Sequence, residues 1–324
     1  MLFNFCFFPY LTYGMNSHSY DFLTHLEKTE FRTGRWYAGM KTTIRSGALI
    51  PLLAVFFLAG CAKSTDDLIK DLSSESYIAR MQAASRLISE KNPGSTKKLI
   101  ERLSKSGERE AFIISQILGN RGDTSAVSPL GRLSKSPNIY IRARALWSIG
   151  NIGHESGLPY LVEGLKDSVA MVRHSAVTAI GFLHYPPAVS HLYPMLRDEA
   201  DSVRSAAVRS IYNFRGIPGS GVLAADLATA VNDPAPVVRY VAVQALGGGF
   251  PDTTTAGELL VEALRDDNKY VRIEAITSIK NIRYKKAAPI LKQMFDTASV
   301  DEEYSISDAI MTITGETYPP DSGK

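Results

Sequence analysis

Cysteine is nearly absent from this 324-residue chain, with Cys6 and Cys61 alone. A disulfide framework is therefore excluded as the source of its stability. Blocks of like charge are missing as well. The 36 Lys and Arg stand against 33 Asp and Glu, a net charge of +3. Five of the basic and three of the acidic residues fall in the first 60, so the remainder is close to neutral. That leaves no electrostatic footprint for nucleic acid. Strand signals are also lacking, because no long run alternates β-branched with polar residues. The apolar stretch from Ala48 to Ala59 is short for a membrane span.

What is present is a repeat. Val172-Arg173-His174-Ser175-Ala176-Val177 is echoed at Val203-Arg204, Val238-Arg239 and Val271-Arg272, with a close variant at Ile141-Arg142. The full register of anchors is Arg80, Ala111, Arg142, Arg173, Arg204, Arg239, Arg272 and Ile306, spaced 31 to 35 residues apart. Small or apolar residues recur three places downstream and aliphatics seven places downstream. Positions −1, +3, +4 and +7 share one side of a helix turning 100° per residue, giving one buried stripe. Upstream of each copy, aliphatics four apart (Leu99/Leu103, Leu161/Leu165, Leu192/Leu196, Leu260/Leu264) mark a second helix. The pattern predicts an all-α fold, an α-α superhelix of about eight helical hairpins, each helix A, turn, helix B and loop. Gly119, Gly150, Gly181 and Gly247 fall near the ends of the B helices and read as C-terminal caps.

An aspartate lies six residues before the arginine in four copies: Asp167, Asp198, Asp233 and Asp266. With the recurring Val-Arg phrase, these residues resemble the HEAT family, and its phycobilin-lyase-type HEAT-like repeats in particular, over residues 66–315. The resemblance implies that Asp167 and Arg173, Asp198 and Arg204, Asp233 and Arg239, and Asp266 and Arg272 form a structural ladder along the stack. Ala111 and Ile306 depart from the motif, so the ladder is expected to break at the first and end at the second. The resemblance also implies that the B helices line the concave side, and it brings an alternative function: a lyase-like or chaperone-like subunit acting on a partner protein.

The N-terminal part follows another logic. Met40 to Arg45 is a short basic segment, Ala48 to Ala59 is apolar, and Leu58-Ala59-Gly60-Cys61 resembles a bacterial lipobox. That resemblance implies lipidation of Cys61 after removal of a signal peptide at 40–60. A tether at 61–65 would join the lipid to the repeats, and a tail at 316–324 would follow them. The expected location is the bacterial cell envelope, lipid-anchored. Ala62 where an inner-membrane retention signal has aspartate favours the outer membrane, facing the periplasm, in a Gram-negative organism. Ser64-Thr65-Asp66-Asp67 reads as a helix start, so the first repeat is expected to lie against the bilayer. Residues 1–39 match neither signal nor repeat, and translation is expected to begin at Met40.

Enzymatic motifs are thin. His154-Glu155 is one His-Glu pair where HEAT-fold di-iron hydroxylases need several, so no metal and no cofactor is expected. Gly219-Ser220-Gly221 lacks the preceding strand of a nucleotide site and reads as a flexible inter-repeat loop, Arg215 to Gly221. Positions +1, +5 and +9 of the B helices face away from the core. Most are polar, yet Phe112, Trp147, Phe182 and Tyr240 fall there, with His174 and Arg209 between. Aromatics and arginine on an exposed face are the usual material of binding hot spots. The expected function is a non-catalytic scaffold that binds protein partners in the envelope through this face.

Overall fold

Each anchor phrase sits in the second helix of a hairpin, and the hairpins follow one another in chain order. The computed structural model describes residues 63–319 apart from Lys91. The pairs are α1 (Thr65–Asp71) with α2 (Tyr77–Ser89), α3 (Pro93–Leu103) with α4 (Glu108–Arg121), α5 (Val127–Leu133) with α6 (Ile139–Ile152), and α7 (Leu158–Gly164) with α8 (Ala170–Phe182). The fifth B helix is α9 (Asp201–Asn213). Then come α10 (Ala228–Val231) with α11 (Pro236–Gly247), α12 (Thr253–Ala263) with α13 (Lys269–Asn281), and α14 (Ala288–Phe295) with α15 (Val300–Thr314). The described residues form an all-α solenoid of the expected kind. Cys61, the signal segment 40–60 and residues 1–39 lie outside the described residues.

The core follows the predicted stripe. Val172, Ala176, Val177 and Ile180 of α8 are buried, and so are Val203, Ala207, Val208 and Ile211 of α9. On the A side of their own repeats Leu99, Leu161, Leu192, Leu260 and Leu291 are buried as well, each with no exposed surface. Removing such aliphatics from water is worth about 1.5–3 kcal/mol apiece, and each B stripe is shared with the next repeat. α1 starts where expected: Ser64 Oγ accepts from Asp67 N at 3.2 Å, and Asp67 accepts from Ser64 N at 3.3 Å.

Three expectations need correction. The A half of the fifth repeat is not an α-helix but two 3-10 segments, Pro186–His191 and Tyr193–Arg197. Pro186, Pro187 and Pro194 remove donors and crowd the carbonyls a turn back, which the tighter winding relieves. The glycines at 119, 150 and 181 are not caps but lie within their helices, and Gly247 is the last residue of α11. The left-handed caps are Gly122, Gly153 and Gly315, at φ 68°, 72° and 82°. The helical glycines instead admit the next repeat: a Cβ at Gly150 would lie 2.4 Å from Ala179 Cα, and one at Gly181 2.7 Å from Ser210 Oγ. Finally, the loop at 215–221 is tied down at Arg215 and at Ser220, whose Oγ donates to the Phe214 carbonyl at 2.8 Å. Arg215 lies over the Tyr212 ring at 3.8 Å and donates to the Gly249 carbonyl of the next repeat at 2.9 Å. The described part of the tail also packs back, with Tyr318 edge-on to Phe295 at 5.2 Å.

Candidate functional site

The Asp–Arg ladder exists, but each rung joins neighbouring repeats rather than the two residues of one motif. Arg142 grips Asp167 at 2.8 and 3.1 Å, and Arg173 grips Asp198 at 2.8 and 2.9 Å. Arg204 does the same to Asp233 at 2.7 and 2.9 Å, and Arg239 to Asp266 at 2.6 and 2.8 Å. Within its own repeat the arginine meets the backbone instead: Arg173 Nη1 donates to the carbonyls of Asp167 and Ser168. The aspartate completes the turn by accepting from the amide two residues on, as Asp198 does from Ala200 at 2.9 Å. This local bond explains why the aspartate stands where it does.

The ladder therefore starts one repeat earlier than its motif, at Arg142, and ends differently. In the following repeat Arg272 finds a glutamate in place of the aspartate, pairing with Glu302 of α15 at 2.6 Å. Near Ala111, where the arginine is missing, Arg102 of α3 holds buried Glu110 at 2.7 and 2.9 Å. All these groups are spent on the scaffold, so the arginine row is not a basic surface.

Their protonation gives the ladder a pH dependence. Burial opposes the charge on Asp167 and Asp198, but hydrogen bonds from arginine and backbone outweigh it and hold both carboxyls below their usual range. Glu302 is likewise desolvated, yet bonds from Arg272 and Ser299 bring it down to about 2. A carboxyl depressed on folding adds stability above its unfolded pKa and loses it as pH falls through the folded one. The thermal midpoint is therefore expected to stay level from about pH 7 to 5 and to fall between about pH 4.5 and 2. Calorimetry across that range checks this, and a fall beginning above about pH 6 would point away from carboxylates.

The opposite side of the B helices carries the other candidates. Phe112, Trp147, His174 and Tyr240 are half-buried, while Phe182 is 37% exposed and Arg209 is exposed. The structure links two of the aromatic rings through a residue that sequence reasoning missed. The guanidinium of Arg144 lies over the Phe112 ring at 4.3 Å and over the Trp147 ring at 5.3 Å. Phe112 comes from α4, and Arg144 and Trp147 are one turn apart on α6. The i, i+3 spacing of Arg144 and Trp147 was the available signal. Burial disfavours the charge of Arg144. On α8 and α9, burial and then the nearby positive Arg209 push the His174 imidazole below its ordinary value.

Beside this cluster Asn151 donates to Asn120 at 2.9 Å, tying α6 to α4 along the same face. Phe182 sits at the end of α8. Tyr240 stands apart, two repeats on; its phenol is bonded to Glu274, which with burial raises its pKa. His154 caps the 3-10 turn Glu155–Gly157, its Nδ1 accepting from Ser156 N at 3.2 Å. Among the described residues no group of three or more His, Cys, Asp and Glu converges on a point. Two shallow hollows lie elsewhere, one lined by Tyr77, Ile78 and Met81 and the other by Tyr193, Arg197 and Asp226.

The family model described as HEAT repeats matches residues 108–168, 127–211 and 224–307, more than half of the chain. Among solved structures, the chain is similar to YibA of Escherichia coli at 18% identity and a TM-score of 0.54, covering 84% of this chain and 99% of that one. It is also similar to the complex of CpcE and CpcF of phycocyanin lyase from Nostoc sp. PCC7120, at 18% identity and a TM-score of 0.43, over 79% and 96% of the two chains. Human deoxyhypusine hydroxylase in complex with glycerol matches at 19% identity and a TM-score of 0.36, over 82% and 100%. Identities this low bear on the fold alone. A comparison with curated proteins finds no match.

Proposed function

The chain belongs to the HEAT-repeat family, and on that premise we propose that it is a non-catalytic scaffold that binds a segment of a partner protein along its B-helix face. The observation that carries this reading is the cluster of Phe112, Arg144 and Trp147 on adjoining B helices, continued by His174, Arg209 and Phe182. Aromatic and guanidinium groups held in place on a polar face lose little entropy when a partner covers them. Replacing Trp147 with Ala is expected to weaken capture of a partner by roughly 30-fold, and Trp147→Ala with Arg209→Ala to abolish it. Crosslinking in native membranes, with quantification of the captured proteins, checks this. A captured set unchanged by the double substitution would count against the binding face.

We place the scaffold at a membrane of the bacterial cell envelope, held by acylated Cys61, with the outer membrane facing the periplasm favoured in a Gram-negative organism. Support comes from the lipobox-like Leu58-Ala59-Gly60-Cys61 and from the closeness of the fold: α1 begins four residues after Cys61. Such a tether reaches only about 10 Å, so the first repeat would meet the bilayer. Its α2 exposes Tyr77, Ile78 and Met81, side chains suited to the headgroup region. No helix among the described residues is long and apolar enough to cross a membrane. Cys61→Ser is expected to abolish incorporation of labelled palmitate and move the protein from the membrane to the soluble fraction. A variant that stays membrane-bound would sink the anchor.

A further inference from the structure

Arg144 is the anomaly among the half-buried arginines of the B helices. Arg142, Arg204, Arg239 and Arg272 each hold a carboxylate, whereas Arg144 forms no hydrogen bond or ion pair among the described residues and lies over two aromatic rings. A guanidinium offers five N–H donors, and the aromatic faces satisfy none of them at full strength. Phe112 and Trp147 flank the group, and its N–H donors have no acceptor among the described residues.

The surroundings specify the charge of that acceptor. Positions +1, +2, +5 and +9 of α4, α6, α8 and α9 hold sixteen residues, Phe112, Arg144, Trp147 and Arg209 among them. Not one is acidic, and two are arginines. The first carboxylate at these positions beyond them is Glu274 on α13, which is engaged with Tyr240.

Resting on the binding face proposed above, we infer that Arg144 is a carboxylate-recognition site, and that the partner is an extended peptide segment carrying acidic side chains. One carboxylate takes the Arg144 fork in bidentate fashion. The flanking peptide lies over Phe112 and Trp147, and a second acid is drawn to Arg209.

The test is binding of the full chain to a fluorescein-labelled acetyl-(Glu-Ala)4 amide, read by anisotropy, against the same peptide with Gln for Glu. The Glu peptide is expected to bind and the Gln peptide to bind at least about tenfold more weakly. Arg144→Gln should cost the Glu peptide about tenfold or more, and Arg144→Lys an intermediate loss, since lysine keeps the charge without the fork. Circular dichroism of each variant reports folding, and Arg209→Gln supplies a second variant away from the rings, with a smaller loss expected. Equal binding of the two peptides, or undiminished binding by Arg144→Gln, overturns the carboxylate while the face stands. Absence of binding by the Glu peptide also overturns it, and the face is then judged separately by the Trp147→Ala crosslinking.

Discussion

Replacing Arg173 with alanine is expected to destabilise the protein by about 3–5 kcal/mol. The side chains of Arg173 and Asp198 are 8% and 6% exposed, so neither charge is relieved by water when the other is removed. Alanine strands Asp198, which keeps only the amide of Ala200, and it also strands the carbonyls of Asp167 and Ser168. The damage falls at the seam between α8 and α9, where the A half of the fifth repeat is wound as 3-10 segments. Stability in a repeat array is a sum over neighbouring interfaces, so weakening one seam should split unfolding into two steps. Urea unfolding followed by far-UV circular dichroism checks both the loss and the broadening. Pairing Arg173→Met with Asp198→Leu should recover part of the loss, because no lone charge remains buried, but the turn bond to Ala200 is gone. A cost for Arg173→Ala below about 1 kcal/mol would mean that the rung behaves as a surface pair.

That rung also shows where sequence reading reaches its limit. Helix phase was legible because burial follows a period of 3.6: Val172, Ala176, Val177 and Ile180 had to share a side, whatever lay opposite. The partner across the seam was not legible, because the motif puts Asp167 and Arg173 six residues apart while the fork of Arg173 reaches Asp198. Arg142 was read as an anchor but not as a rung for the same reason, having Ser136 rather than an aspartate six residues before it while its partner sits in the following repeat. Glu302 closes the ladder from a helix that begins early relative to its anchor Ile306, a shift no spacing reveals. On the binding side, Phe112 and Trp147 were visible as breaks in a polar face. Arg144 was not, since at +2 it belongs to no row of the template and gains meaning only from rings on two helices.

The glycines carry the sharpest test of packing, because two readings of Gly150 predict opposite signs. As an ordinary residue within α6, Gly150→Ala would stabilise by up to about 1 kcal/mol through helix propensity. The contact across the seam predicts the reverse. A Cβ there would meet Ala179 Cα at 2.4 Å, its Cβ at 2.5 Å and its carbonyl oxygen at 2.8 Å. These are backbone and stem atoms, so no side-chain rotation yields room, and α8 as a whole must move. Overpacking of this kind costs about 1–3 kcal/mol, and a rigid neighbour puts Gly150→Ala at the top of that range or above. Ala179→Gly should return only part, since the Cα and carbonyl remain. Gly122→Ala serves as the contrast: nothing lies within 4 Å of its Cβ, and its φ of 68° carries a backbone cost of about 1–2 kcal/mol without moving a helix. The same seam sets α6 against α8, the helices that carry Trp147 and His174. Gly150→Ala should therefore weaken partner binding as well as stability, whereas Gly122→Ala should touch stability alone. A more stable Gly150→Ala protein, measured by denaturant midpoint, would overturn the close-approach role and with it the seam as the element that positions the face.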